Sequence, residues 1–138
     1  KQNAIERAIV CVDVSGSMGS KTLSRIANEI CGLLHSQKVN EVIIISFDGV
    51  VQHVQTVKMG QKEVEILVTH GGTEFQAPID FIHNEYKDNV SVCIFFSDGD
   101  CPPPTRPRYW RKFIWIIYDD PNWVQPWGRL IKAMSSDM

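Results

Sequence analysis

Residues 8–17 read Ala8-Ile9-Val10-Cys11-Val12-Asp13-Val14-Ser15-Gly16-Ser17, and the fold turns on them. Five consecutive apolar residues end at a carboxylate, and a Gly/Ser loop follows. A strand that is apolar at every position has no solvent face. It is buried on both sides, as in a parallel sheet covered by helices. Beyond the loop, Leu23, Ile26, Ala27, Ile30, Leu33 and Leu34 recur at helical spacing. That spacing predicts an amphipathic helix from Lys21 to Ser36, with Ser20 as its N-cap.

The same alternation runs on downstream. Val42-Ile43-Ile44-Ile45 is a second buried strand, Asp48-Gly49 a tight-turn signal, and Val50 to Val57 a strand interleaved with polar residues. The last two strands read as an antiparallel hairpin with its second arm at the sheet edge. A short helix is expected from Glu63 to Val68. The loop His70-Gly71-Gly72-Thr73 comes next, then a helix marked by Phe75, Ile79, Ile82 and Tyr86 with Pro78 in its first turn. Val90 to Phe96 is a third buried strand, ending in Ser97-Asp98-Gly99-Asp100, and Phe113 to Tyr118 is the last strong one. Between them lies a stiff proline loop around Pro102-Pro103-Pro104 and Pro107.

This pattern predicts an α/β fold: a doubly wound, mostly parallel sheet with one antiparallel edge strand, shortened at its C-terminal end. Right-handed crossovers give the order hairpin edge, second strand, first strand, Val90 strand, Phe113 strand. The winding then reverses between the first strand and the Val90 strand. Ligands bind at such a reversal, outside the strand C-terminal ends, where Asp13 and Asp98 stand.

Residues 1–138 have the length of one domain. An apolar fraction of 43% and a net charge of −2 exclude disorder as the main state. The near-neutral balance argues against nucleic acid as partner, and no apolar run is long enough to span a membrane. Lys1-Gln2-Asn3 has neither a starting Met nor a secretory leader behind it, so the chain reads as excised from a longer protein. The four cysteines show no C-x-x-C pair and no zinc spacing; Cys11 and Cys93 lie in apolar runs. They point to reduced thiols and the cytoplasm.

Asp13, Ser15 and Ser17 put three oxygen-bearing side chains at alternating positions of one loop, and Thr73 and Asp98 add two more from other loops. All five are hard donors. Such a set suits Mg2+ or Mn2+, with Ca2+ as the alternative, and disfavours zinc and copper. Rival chemistries lack key residues. Ser15 to Thr22 reads S-x-x-x-x-S-K-T, with serine where a phosphate loop needs both glycines. An aspartyl phosphatase wants a second aspartate where Ser15 stands. A serine hydrolase wants G-x-S-x-G.

The five residues, in this order, resemble the von Willebrand factor A (VWA) domain with its metal-ion-dependent adhesion site. Asp13, Ser15 and Ser17 match its D-x-S-x-S motif, Thr73 its second-loop threonine and Asp98 its third-loop aspartate. The resemblance runs from about Ala4 to Asp100. It implies a Mg2+ whose free position is completed by an Asp or Glu of a protein partner, in a domain that itself catalyses nothing. His70-Gly71-Gly72-Thr73-Glu74-Phe75 and Gln125-Pro126-Trp127-Gly128-Arg129 are similar to the compact VWA-like domain at the C-terminal end of bacterial and phage metallopeptidases. H-E-x-x-H is missing, so peptidase activity is not expected here. The resemblance also implies companions, a MoxR-type AAA+ ATPase or a linked metallopeptidase-like region. The competing reading is a scaffold domain with a vestigial or structural metal site.

Four further features are left by the motif. His70, three residues before Thr73, is a candidate for an outer role at the site; His35, His53 and His83 read as structural. Arg106, Arg108, Arg111 and Lys112 form either a solvated face or a basic rim beside the metal site that steers an acidic partner. Trp115 reads as core. Trp110, Trp123 and Trp127 pack a tail without helices or form an interface patch.

Overall fold

A strand can be apolar throughout only if both its edges and both its faces are covered. In the computed structural model, which describes residues 5–36, 38–58, 60–61 and 64–134, the Ala8 to Val12 part of β1 (Ile5–Asp13) is that strand. Helix α1 (Ser20–His35) follows, then β2 (Val39–Phe47), β3 (Val51–Lys58), α2 (Gln76–Tyr86) and β4 (Val92–Ser97). A short 3-10 turn (Trp110–Lys112) leads into β5 (Phe113–Tyr118), and β6 (Arg129–Ala133) closes the series. The sheet order is β3-β2-β1-β4-β5-β6. Every neighbouring pair is parallel except β2 and β3. The expected doubly wound architecture and its reversal between β1 and β4 are therefore present.

Alternation along β1 divides the core. Ala8, Val10 and Val12 face α1, which buries Leu23, Ile26, Ala27, Ile30 and Leu34 against them. Ile9 and Cys11 face the other way, towards α2 with Ile79 and Ile82 and towards an aromatic cluster. The central strand thus contributes to two separate cores, which is why it carries no polar residue from Ala8 to Val12. Edge strand β3 pairs on one side only, and its exposed and half-exposed positions keep the polar residues expected there.

Three expectations need correction. Residues 64–68 form no helix but an irregular segment; Glu63, like Ala4, lies outside the described residues. Ser20 is the first helical residue of α1 rather than its cap. Gly19 takes the cap position, at a φ of 78° that disfavours side chains. The tail also carries a strand that was not anticipated. β6 pairs in parallel with β5 from Ile114↔Arg129 to Tyr118↔Ala133. Its residues are exposed or half-exposed, so Leu130 and Ile131 show none of the continuous apolar pattern of the inner strands.

The tryptophans hold this tail. Trp115 is fully buried and donates its indole N–H to the Trp127 carbonyl at 2.9 Å. Its ring lies 5.2 Å from that of Trp123 and 5.4 Å from that of Trp127, centroid to centroid. Trp123 and Trp127 are thus packing residues. Among the described residues no helix is long and apolar enough to cross a membrane. Cys11 and Cys93 are buried thiols, as expected of core cysteines.

Candidate functional site

Asp13 is the last residue of β1, in the gap between β2 and β4, and is completely buried. A buried carboxylate must be hydrogen-bonded, and this one is. Its Oδ1 accepts the Ser15 backbone N–H at 2.9 Å and the Ser15 hydroxyl at 2.6 Å. Its Oδ2 accepts the Ser97 hydroxyl, from the end of β4, at 2.7 Å. The Ser15 and Ser17 hydroxyl oxygens lie 3.2 Å apart. Burial raises the Asp13 pKa above its ordinary value of 3.8; the Ser15 and Ser97 bonds oppose this, and the nearby charge of Asp98 adds to it. The structure therefore joins Asp13, Ser15 and Ser17 by direct hydrogen bonds. It sets Asp98, half-buried one residue beyond Ser97, close enough to Asp13 to be felt electrostatically.

The loops bearing these residues are tied to one another. Val14 continues the β1 ladder, its N–H meeting the Phe47 carbonyl at 2.8 Å, and its own carbonyl accepts the Thr69 N–H at 2.7 Å. The first loop is thus bonded to the second, and Gly16 lies beside the Thr69 carbonyl and the His70 ring. His70 does neighbour the site. Thr73 is half-buried three residues further along. The Phe75 N–H, at the second loop's far end, donates to the Cys101 thiol at 3.4 Å. That bond joins the second loop to the third. The third loop packs in turn against the tail, for a Cβ at Gly99 would come within 2.6 Å of the Trp123 ring.

Ser97, Thr69 and Asp48 are the residues that motif reading missed. Ser97 was hidden in a turn signal, and its role depends on β4 lying beside β1. Asp48 is buried at the end of β2, where Asp-Gly read as turn chemistry alone. Its Oδ1 takes the Val50 N–H at 3.1 Å, and its Oδ2 takes the Thr69 hydroxyl at 2.7 Å, with the Gln52 amide reaching both oxygens at 3.1 Å. Burial works against the charge, but the Thr69, Gln52, Val50 and Gly49 bonds outweigh it and hold the carboxyl below 3.8. A lowered folded-state pKa contributes stability that is present above the unfolded value and lost as pH falls through the folded one. We therefore expect urea midpoints of the wild type to fall on acidification below about pH 4, and Asp48→Asn to show a shallower fall.

The basic rim is not beside these loops. Arg111 and Lys112 lie in the turn that enters β5. Since β5 runs parallel to β1 and β4, this is the sheet end opposite Asp13 and Asp98. At about 3.3 Å per residue, the six-residue strand puts them roughly 20 Å away. The guanidiniums of Arg106 and Arg111 lie over the Trp110 ring at 5.1 and 4.5 Å. Trp110 is therefore occupied by cations rather than by the tail.

Among the described residues no three His, Cys, Asp or Glu side chains gather as metal ligands. A cation here would rest on two carboxylates and hydroxyls. The Asp13–Ser15–Ser17 part of the donor set fits one. Ser15 gives its proton to Asp13, so its oxygen accepts from Ser17 and keeps one lone pair for a cation. Neighbouring ligands of an octahedral Mg2+ at 2.0–2.1 Å stand about 3 Å apart, close to the separation of the two serine oxygens. With two lone pairs per oxygen, Asp13 Oδ1 is already full and Oδ2 keeps one place.

Comparison with known families and structures agrees with this mostly parallel six-stranded sheet. The VWA-like domain (DUF2201) family matches residues 8–134, nearly the whole chain. The chain belongs to this family. No curated protein matches it. Among solved structures, this VWA-like domain is similar to the crystal structure of the ArnB paralog VWA2 from Sulfolobus acidocaldarius, with a TM-score of 0.64 and 18% sequence identity. That alignment covers 87% of this chain and 36% of the other. The VWA-like domain thus spans about a third of that protein, and the likeness concerns the fold.

Proposed function

We propose that this VWA-like domain is a non-catalytic protein-interaction module that holds Mg2+ and uses it to bind an acidic side chain of a partner. The observation that carries the reading is the hydrogen-bonded chain Asp13–Ser15–Ser17, with Asp98 beside it at the winding reversal. Ser15, Ser17 and Thr73 would hold the ion through hydroxyls. Asp13, its Oδ1 saturated, would act by orienting Ser15 and through water, and Asp98 would add the second charge. Two carboxylates neutralise a dication, and neutral hydroxyls leave it electrophilic. A bound Mg2+ therefore supplies a coordination position for a partner's Asp or Glu, with Mn2+ and Ca2+ as alternative occupants. We place the module in the cytoplasm, with a MoxR-type AAA+ ATPase or a linked metallopeptidase-like region as the partners suggested by the adhesion-domain resemblance.

The test uses an immobilised Asp-containing peptide library. Retention of the protein in Mg2+, lost in EDTA and lost in Ser15→Ala/Ser17→Ala, is the expected result. One observation favours the second reading, a scaffold with a vestigial site. The bonds from Ser15 and Ser97 already satisfy the buried Asp13 without an ion. Retention that is equal with and without Mg2+ selects that reading.

A further inference from the structure

We infer that Asp48 is the residue that makes the site selective for Mg2+ over Ca2+, by clamping both ends of the loop that carries Thr73; the inference rests on the cation reading above. Asp48 side-chain Oδ2 holds the start of that loop through the Thr69 hydroxyl at 2.7 Å. Its backbone carbonyl holds the end, accepting the Glu74 N–H at 2.9 Å. Thr73 lies inside the span closed by these two bonds. The middle is pressed on as well, because a Cβ at Gly71 would come within 2.4 Å of the same Oδ2. Gln52 and the Val50 N–H fix the carboxylate itself, so the clamp is rigid on its own side.

The consequence follows from what the two cations demand. Mg2+ requires near-ideal octahedral geometry at 2.0–2.1 Å, whereas Ca2+ accepts longer and irregular contacts. A threonine held inside a loop closed at both ends favours the ion with the stricter geometry. A loop released at Thr69 penalises Mg2+ first. Asp48 is thus a positioning residue that acts through Thr69 and Gly71 and touches no ion.

The experiment is a calorimetric titration of the full chain with Mg2+ and, separately, with Ca2+. Wild type is compared with Thr69→Val, Asp48→Ala, Gly71→Ala and the Thr69→Val/Asp48→Ala double variant. Thr69→Val is isosteric and removes only the hydroxyl, which keeps the test open if Asp48→Ala fails to fold. We expect Mg2+ affinity to fall about 10- to 100-fold, the range for partners that orient ligands. Ca2+ affinity should fall several-fold less. The double variant should lose less than the sum of the two single ones, because the Thr69–Asp48 bond is already absent in each. Asp48→Asn, which keeps an acceptor, should restore part of the Mg2+ preference. A merely structural role would lower the melting temperature without changing the ratio of the two affinities. Unchanged Mg2+ affinity in Thr69→Val, or parallel losses for both ions, overturns the clamp and leaves the cation site standing. A wild type that binds neither ion overturns both.

Discussion

Trp115→Ala is expected to destabilise the domain by about 3–5 kcal/mol, the range for deleting a buried aromatic side chain. Trp115 is at the centre of the largest aromatic cluster. Its ring lies 4.9 Å from Phe95, 4.8 Å from Phe113 and 5.3 Å from Phe75. Deleting it opens a cavity among rigid rings that relax poorly. It also leaves the Trp127 carbonyl without its indole donor. Since domains of this size are stable by roughly 5–15 kcal/mol, such a loss approaches the whole margin. The effect should reach the candidate site, because Trp123 packs on both Trp115 and Gly99 of the third loop. Urea denaturation followed by far-ultraviolet circular dichroism reads the loss. Trp115→Phe, which fills part of the cavity, should recover much of it. A Trp115→Ala midpoint within experimental error of wild type would contradict the packing account.

Asp13→Asn should move stability and cation binding in opposite directions. Burial holds the Asp13 pKa above 3.8, so in the metal-free protein the ionised carboxylate is held against its preference. The sign is fixed by linkage. Between the unfolded and folded pKa values the folded state binds more protons, so the group's contribution to stability falls as pH rises through that window. Asparagine removes the charge. Its carbonyl can still accept from Ser15, while its amide can donate to the Ser97 oxygen. The metal-free variant is therefore expected to be at least as stable as wild type near neutral pH. Its cation affinity should drop by at least about a hundredfold, the upper end of the range for outer-shell partners. The readout is the stabilisation by Mg2+, worth about 2.7 kcal/mol at a hundred times the dissociation constant. Wild type should gain this as a rise of roughly 9 °C in Tm, and Asp13→Asn should gain no more than about 1–2 °C.

The parts legible in the sequence were those written in periodicity. The uninterrupted apolar runs within β1 and β2 could only be inner strands, and the mixed run at 50–57 could only be an edge. The 3.6-residue recurrence fixed α1 to within one residue at each end. β6 escaped because a strand paired on one side and open to solvent needs no apolar alternation; Arg129 and Lys132 serve there as well as isoleucine would. The irregular segment at 64–68 escaped for the reverse reason. Val64, Ile66 and Val68 pack on the α1 core without any regular hydrogen-bond ladder to reveal them.

At the site, Asp13, Ser15 and Ser17 were legible because their spacing places donors on one short loop. Ser97 was not, since a serine before Asp-Gly is common turn chemistry and only the β1–β4 register brings it to Asp13. Asp48 and Thr69 are separated by 21 residues and matter only as a pair. No local pattern marks such a pair. The choice between a solvated face and a rim for Arg106, Arg108, Arg111 and Lys112 was not legible, because a charge run does not record to which end of the sheet a connection delivers it.

The central claim is one divalent cation held by Asp13, Ser15, Ser17, Thr73 and Asp98. Its most direct test is a Mn2+ titration of the wild-type chain followed by electron paramagnetic resonance of the free ion. The account predicts one ion bound per chain, displaced by Mg2+, and no binding when Ser15 and Ser17 are both alanine. Absence of binding in the folded wild type, or a bound ion that persists in the double-alanine variant, would contradict it.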